Sequence, residues 1–365
     1  MGKKMTCSLC VPDTIVGKHF QRLAFRLVRG ARQESFLDSV NKNPKKRSSR
    51  PRIGNRMNPY SPAFSAMRTA LFGIYKKLRP LALRWAGRTL VLNYHSVRPS
   101  QLFFNSTSTT VFEQHLEWLA THCEVVDFQD VFAPATDKPR VAIVFDDGFR
   151  DNLDYAVPLL QKYGLKATFF VSTGFLQRDS VILDIFARTF QTTAEDFMDV
   201  AALRELFAAG MPVEAHTHSH RNLLSLTEPE QKEELGRSKE ILESLLGCPI
   251  QSVAYPFGVP GKAFDLTTTQ IAEALGYTRG AMVCWRAVRP LEKALQIPRF
   301  TIVNESLDEL EAIVAGALDP IGWYQEWRFS ARHTYLSKTL ATLTFALLEK
   351  QWLVELKDCK VLSLI

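Results

Sequence analysis

No stretch of the 365-residue chain stays apolar for long enough to span a bilayer. The best candidate, Ala63 to Ala86, is broken by Arg68, Lys76, Lys77, Arg79 and Pro80. The N-terminus lacks the uncharged apolar core of a secretory signal, because Arg22 and Arg26 punctuate Phe20 to Val28. Neither a spanning helix nor an ordinary cleaved export signal is expected. Cysteine is sparse, with six residues scattered at 7, 10, 123, 248, 284 and 359. Only Cys7 and Cys10 make a CxxC pair, which is half a zinc site with no second half nearby. The remaining cysteines read as buried thiols, so a disulfide-stapled fold is excluded. Acidic side chains are nearly missing from Met1 to Arg88, which hold 20 Lys and Arg against 3 Asp and Glu. The rest of the chain reverses the balance, with 25 against 35. A basic arm precedes an acidic body, and the two are read separately.

The body is ordinary for a globular protein at 46% apolar and 23% charged residues overall. Residues 1–56 include the Lys/Arg/Pro/Ser/Asn-rich run Asn41 to Arg56, which cannot bury a core and reads as a solvated arm. Met57 opens a cleaner segment and is a candidate initiator. Residues 57–88 follow as a basic helical segment. Within it, Leu71, Phe72, Ile74, Tyr75, Leu78, Leu81, Leu83 and Trp85 mix with basic residues and no acids. Such a helix at 64–88 could lie peripherally on an anionic membrane, or pack on the body with its charges in water. The arm lacks the interleaved aromatics of a nucleic-acid surface, so no nucleic acid is expected.

From Thr89 onward short apolar runs alternate with helical patterns. The strand candidates are Thr89–Tyr94, Arg140–Phe145, Ala167–Val171, Val213–His216, Ser252–Tyr255, Tyr277–Met282 and Gln296–Val303. Helical patterns cover Val111–His122, Asn152–Tyr163, Ala201–Ala208, Glu228–Leu246, Thr268–Leu275 and Leu307–Ala315. Strict alternation implies parallel strands with right-handed crossovers, here an α/β barrel, incomplete or distorted. Residues 89–320 form this barrel domain, and residues 321–365 read as a helical C-terminal tail. In parallel barrels the chemistry sits at the C-terminal ends of the strands.

Three features fall at such ends. Val141 to Phe145 runs straight into Asp146, Asp147 and Gly148. Two acids ending a buried strand either cap the next helix and meet solvent, or share a site that a turn at Gly148 assembles. Val213 leads into His216, His218 and His220. If the chain turns helical there, His216 and His220 stack at i, i+4 and can share a metal, while His218 points elsewhere. Tyr255, Pro256, Phe257 and Gly258 follow a short strand and form a tight turn whose N–H groups could face an oxyanion.

In combination, Phe145-Asp146-Asp147-Gly148, His216-Thr-x-x-His220 followed by Leu223, and Pro256-Phe257-Gly258 resemble the polysaccharide deacetylases of carbohydrate esterase family four, the NodB-homology fold. Pro298-Arg299-Phe300 is also seen in many members. The resemblance covers about residues 89 to 305 and implies a distorted (β/α)7-type barrel. It implies that Asp147, His216 and His220 bind a divalent metal, most commonly Zn2+, and that Asp146 is the general base. It further implies an N-acetylated glycan substrate and work outside the cytoplasm. Most relatives carry an Arg two residues before the motif proline to orient the base; here that position is Ala254, which implies modest activity. They also carry a late acid His in a Leu-x-His motif, whereas the only histidine here after His220 is His333. The biofilm-polysaccharide deacetylase branch resembles this chain more closely. It is circularly permuted and carries its acid histidine early within Tyr-His, which maps onto His95 in Leu92-Asn93-Tyr94-His95. Cys284-Trp285 is a candidate apolar wall for an acetyl methyl, or core. His115 and His122 read as surface or satisfied core residues. The alternatives are hydrolysis of another non-peptide C–N bond on the same fold, or a catalytically weak glycan-binding module.

Overall fold

The structure is a computed structural model describing residues 68, 69, 71–73, 75, 87–100, 105–134, 136–190 and 192–330. The expectations for residues 1–56, for Met57 and for residues 331–365 lie outside the described residues.

Ten strands form in chain order: β1 (Thr89–Tyr94), β2 (Ser96–Arg98), β3 (Ser106–Ser108), β4 (Glu124–Val126), β5 (Arg140–Phe145), β6 (Thr168–Val171), β7 (Val213–Ala215), β8 (Ser252–Ala254), β9 (Arg279–Val283) and β10 (Ile297–Thr301). Seven of them close a parallel ring in the order β1-β10-β9-β8-β7-β6-β5, and β5 returns to β1. The closing pair is in register from Thr89↔Arg140 to Tyr94↔Phe145. β4 occupies the early half of the other edge of β5, from Glu124↔Arg140, and β6 takes the late half at Val144↔Thr168. β2 and β3 make a separate two-stranded ribbon. The expected distorted seven-strand barrel is therefore what forms. The bounds expected for the strands that became β1 and β5 coincide with those observed. β2, β3, β4 and the helix Ser180–Phe190 were not foreseen.

Strand alternation sorts side chains to two sides of the wall. Leu90, Leu92, Ile143, Phe145 and Phe169 face outward into the main core under the helices. Val91, Ala142, Val144, Phe170, Ala254, Ala281 and Ile297 fill the barrel interior, and Phe128 plugs its lower end against Phe170 at 5.2 Å. Continuing the same alternation toward the C-terminal ends puts Asn93, Asp146 and Arg299 inside, above Val91, Val144 and Ile297.

The helix expected at Asn152–Tyr163 splits into a wide π-type turn, Asn152–Ala156, and an α-helix, Val157–Lys162. Pro158 in its first turn lacks the N–H that would continue the earlier ladder. Of the segment 57–88, the described residues Leu71, Phe72 and Tyr75 are buried on the barrel. Arg68 pairs with Glu305 at 3.0 Å and Glu309 at 3.3 Å. These three apolar side chains are thus turned onto the body, and the packed alternative describes them. At the other end, the helix Asp319–Ser330 straddles the expected boundary at 320. Arg88 holds Asp319 at 2.9 Å, and Arg286 pairs with Glu326.

His115 lies in the helix Thr109–His122 and is fully buried. One ring nitrogen faces the Tyr94 hydroxyl at 3.0 Å and the other faces the Glu305 carbonyl at 2.8 Å. A neutral imidazole satisfies both, accepting from Tyr94 and donating to Glu305. Burial lowers its pKa from the usual 6.5 to about 4, against the opposing pull of the Glu305 carbonyl. The unfolded chain therefore takes up a proton between pH 6.5 and about 4 that the folded chain refuses. Stability contributed by this group is complete above that window and is lost as the pH falls through it. We expect His115→Gln to flatten the fall by up to about 1.4 kcal/mol per pH unit, read by urea unfolding at several pH values. An unchanged slope would contradict this.

Candidate metal centre and active site

Asp147 follows β5 at φ 75°, His216 follows β7, and His220 lies four residues on at φ 55°. The two Nε2 atoms lie 3.3 Å (His216) and 3.1 Å (His220) from Asp147 Oδ1. One ligand atom from each of the three residues lies within 4.8 Å of the others, and all three residues are buried. The helix expected to stack the histidines does not form, because 216–222 is irregular. Left-handed backbone at Thr217 (φ 63°) and His220 folds the loop back instead, and Thr217 Oγ1 accepts from His220 N at 3.2 Å. Bulky residues at positive φ are costly and collect where function holds them. Among the described residues, four of the five non-glycine cases lie at this site: Asp147, Thr217, His220 and Phe257.

The loop after β6 laces this one in place. Ser172 Oγ donates to the His216 carbonyl at 2.9 Å, and Gly174 N donates to the His218 carbonyl at 2.8 Å. A Cβ at Gly174 would sit 2.8 Å from that same oxygen, so the approach requires glycine. His218, given no role from the sequence, is tied to Thr173 Oγ1 at 2.8 Å and does not belong to the cluster of Asp147, His216 and His220.

Do these residues suit a metal? His216 Nδ1 lies 2.8 Å from the Ala254 carbonyl, which places the proton there and leaves Nε2 as a lone pair. Asp147 Oδ1 is buried and receives no hydrogen bond of proper geometry, although both imidazole nitrogens are close. Three donor atoms gathered this closely, one carboxylate and two imidazoles, fit a cation. Burial raises the Asp147 pKa, but His220 and His216 outweigh it and hold the carboxyl well below its usual range.

Asp146 points into the barrel and is held differently. Arg299 Nη1 and Nη2 donate to its two oxygens at 2.7 and 2.9 Å, and Asn93 Nδ2 adds a bond at 2.9 Å. Burial pushes its pKa up; Arg299, His216 and His95 push it down and prevail. His95, just past β1, is half-buried. Its pKa is lowered by burial against the pull of Asp147 and Asp146, which places it within electrostatic reach of both carboxylates. Asn152 Nδ2 fixes its carbonyl at 2.7 Å.

Residues 133–280 match the sequence profile of the polysaccharide deacetylase family. The chain carries a polysaccharide deacetylase domain. It is 28% identical over 196 residues to the Bacillus subtilis protein YxkH, whose name places it among the polysaccharide deacetylases; the match covers 52% of this chain and 62% of that protein. It therefore spans less than two thirds of that relative's length. A poly-β-1,6-N-acetyl-D-glucosamine N-deacetylase of Staphylococcus aureus is 24% identical over 249 residues, which are 60% of this chain and 81% of the relative. Among solved structures, the Streptococcus pyogenes deacetylase PplD in complex with acetate shares the fold with a TM-score of 0.53 and 23% identity, over 63% of this chain and 99% of that one.

Within this deacetylase domain two sequence expectations need correction. The base was expected to lack an arginine, because Ala254 stands before the motif proline. Arg299 from β10 reaches the same carboxylate across the interior, and the small Ala254 side chain shares that interior. Reading Ile297 as inward and counting two residues on would have found it. Tyr255 was expected in the substrate turn. By the same alternation it faces outward, fully buried, stacked on Phe264 at 4.2 Å with its hydroxyl on the Leu295 carbonyl. Its N–H is spent on the Ala281 carbonyl, so Tyr255 offers the site nothing. Pro256, Phe257 and Gly258 do form the tight turn. Gly258 has φ 57°, and a Cβ there would lie 2.8 Å from Val283 N. Phe257 is 42% exposed with its ring 5.1 Å from that of His220, and its N–H makes no hydrogen bond among the described residues. Cys284 and Trp285 are core, with Cys284 Sγ toward the Gly322 carbonyl and Trp285 near Phe300.

Replacing Arg299 with Gln strands the Asp146 carboxylate in the interior. We expect a stability loss of about 3–5 kcal/mol at neutral pH by urea unfolding. The deficit shrinks at low pH, where the orphaned carboxyl protonates. A loss below about 1 kcal/mol would mean that the pair is solvated.

Proposed function

We propose that the protein is a metal-dependent hydrolase removing N-acetyl groups from amino sugars of a polysaccharide or glycan. The observation that carries this reading is that consecutive carboxylates face different partners. Asp147 turns to two imidazole Nε2 atoms, while Asp146 is kept ionised by Arg299. In this reading residues 89–320 are the catalytic barrel, and Asp147, His216 and His220 hold a divalent ion, most simply Zn2+. That ion would supply Lewis acidity at the acetamide carbonyl and bring the ionisation of water toward neutral pH.

The chain's own residues do the rest. Asp146 accepts a proton from the attacking water, and its ionised state at neutral pH suits it to that task. Arg299 and Asn93 fix both of its oxygens, so its free lone pairs are aimed rather than mobile. The Phe257 N–H donates to the oxygen that gains charge as the carbonyl carbon becomes tetrahedral. His95, which its lowered pKa leaves neutral before attack, takes up the proton that Asp146 has accepted and gives it to the amine nitrogen as the C–N bond breaks, and acetate leaves with the water's oxygen. Two further features support the assignment of a polymeric amino sugar. One is the name of the Staphylococcus aureus relative, which acts on poly-β-1,6-N-acetyl-D-glucosamine. The other is the exposed Phe257 ring beside His220, a flat apolar surface at the mouth of the site. Among the described residues no helix is long and apolar enough to cross a membrane. The glycan-binding alternative drew on the missing arginine and on the missing late histidine; Arg299 speaks against the first of these.

The test is acetate release from N-acetylglucosamine oligomers with metal content measured on the same samples. His216→Ala is expected to lose both zinc and acetate release. Asp146→Asn is expected to keep zinc and lose about 10²–10⁴-fold in rate. Wild-type protein that holds zinc yet releases no acetate from any oligomer would favour the binding module.

A further inference from the structure

The two imidazoles of the candidate centre are oriented by different means. His216 has a hydrogen-bond acceptor behind it, the Ala254 carbonyl at 2.8 Å. Ligand histidines ordinarily have one, since it fixes both the tautomer and the ring plane. His220 has none, because its Nδ1 is buried without a hydrogen-bond partner among the described residues. Its Nε2 faces Asp147, so Nδ1 must carry the proton if the ring is to ligate while neutral. Among the described residues three phenylalanine rings flank it. Phe186 lies 5.0 Å away at 83°, Phe257 5.1 Å away at 75°, and Phe175 6.3 Å away at 24°. Phe257 is too exposed to brace anything firmly. Phe186 is 6% exposed and rests on Phe175 at 4.8 Å and Phe197 at 5.4 Å.

We propose that Phe186 is a positioning residue for His220, an aromatic clamp that stands where a hydrogen-bond acceptor would otherwise orient the ring. This rests on the metal-site reading above. Near-perpendicular rings at this separation match the edge-to-face arrangement that the aromatic quadrupole favours, and a ring N–H against a π face is a weak donor–acceptor contact of the same kind. Phe186 is carried by the helix Ser180–Phe190, an excursion between β6 and β7 rather than part of the barrel wall. Docking of that helix is thereby linked to the orientation of one metal ligand, and so to how tightly an ion is held.

The experiment is zinc titration of the full chain against a chromophoric chelator, for wild type, Phe186→Ala, Phe186→Leu and Phe186→Tyr, with thermal unfolding of the metal-free proteins alongside. Phe186→Ala and Phe186→Leu are expected to weaken zinc binding about 10- to 100-fold, as loss of a ligand histidine's outer partner does. Phe186→Tyr is expected to retain most of the affinity. Leucine fills the space without a π face, so its metal-free unfolding temperature stays near wild type while its zinc affinity falls. If Phe186→Ala does not fold, the Leu and Tyr pair carries the test. Wild-type affinity in Phe186→Leu overturns the clamp and leaves the metal site standing. A folded wild type that takes up no zinc overturns the metal-site reading and the clamp together.

Discussion

An ionised carboxylate inside a closed parallel barrel is tolerable only with a fixed counter-charge, and here the counter-charge is the fully buried guanidinium of Arg299. The pair spans the interior from β5 to β10 and is bidentate, so it sets the carboxylate's angle as well as its charge. Phe170 completes the arrangement, with the guanidinium carbon 5.6 Å from its ring centre. Everything asked of Asp146 follows from this pair: staying ionised while buried, keeping its plane, and remaining apart from the neighbouring Asp147.

The seven barrel strands were legible because each is a short apolar run cut off by polar or turn residues. The three-residue strands β2, β3 and β4 carry too few positions to show any period. What one sequence cannot show is how strands lie across from one another, and Arg299 is the instance that matters. It stands 153 positions from Asp146, and no local pattern joins them. The parity of β8 and β10 was nonetheless available: Ala254 inward makes Tyr255 outward, and Ile297 inward makes Arg299 inward.

The histidine pair was found for a reason that the structure replaces. A spacing of four suggested a helical face, but the two imidazoles converge because Thr217 and His220 adopt left-handed backbone and a neighbouring loop ties the His216 and His218 carbonyls. Spacing fixes only that two side chains can meet, while hydrogen bonds in the loop decide how. The same distinction separates the two imidazoles themselves, since one is set by a carbonyl and the other sits among rings.

Pairing around the ring is uneven. β1 and β5 match over six residue pairs, whereas β5 and β6 share two, and β7 and β8 only Ala215↔Val253. Asp147 leaves the end of β5 and His216 the end of β7, on either side of β6. An ion gripped by those side chains would therefore be a rivet across two short seams of the hoop, β5–β6 with two residue pairs and β6–β7 with three. It would join staves that share fewer residue pairs than β1 and β5 do, so its occupancy would feed directly into how firmly that side of the barrel stays shut.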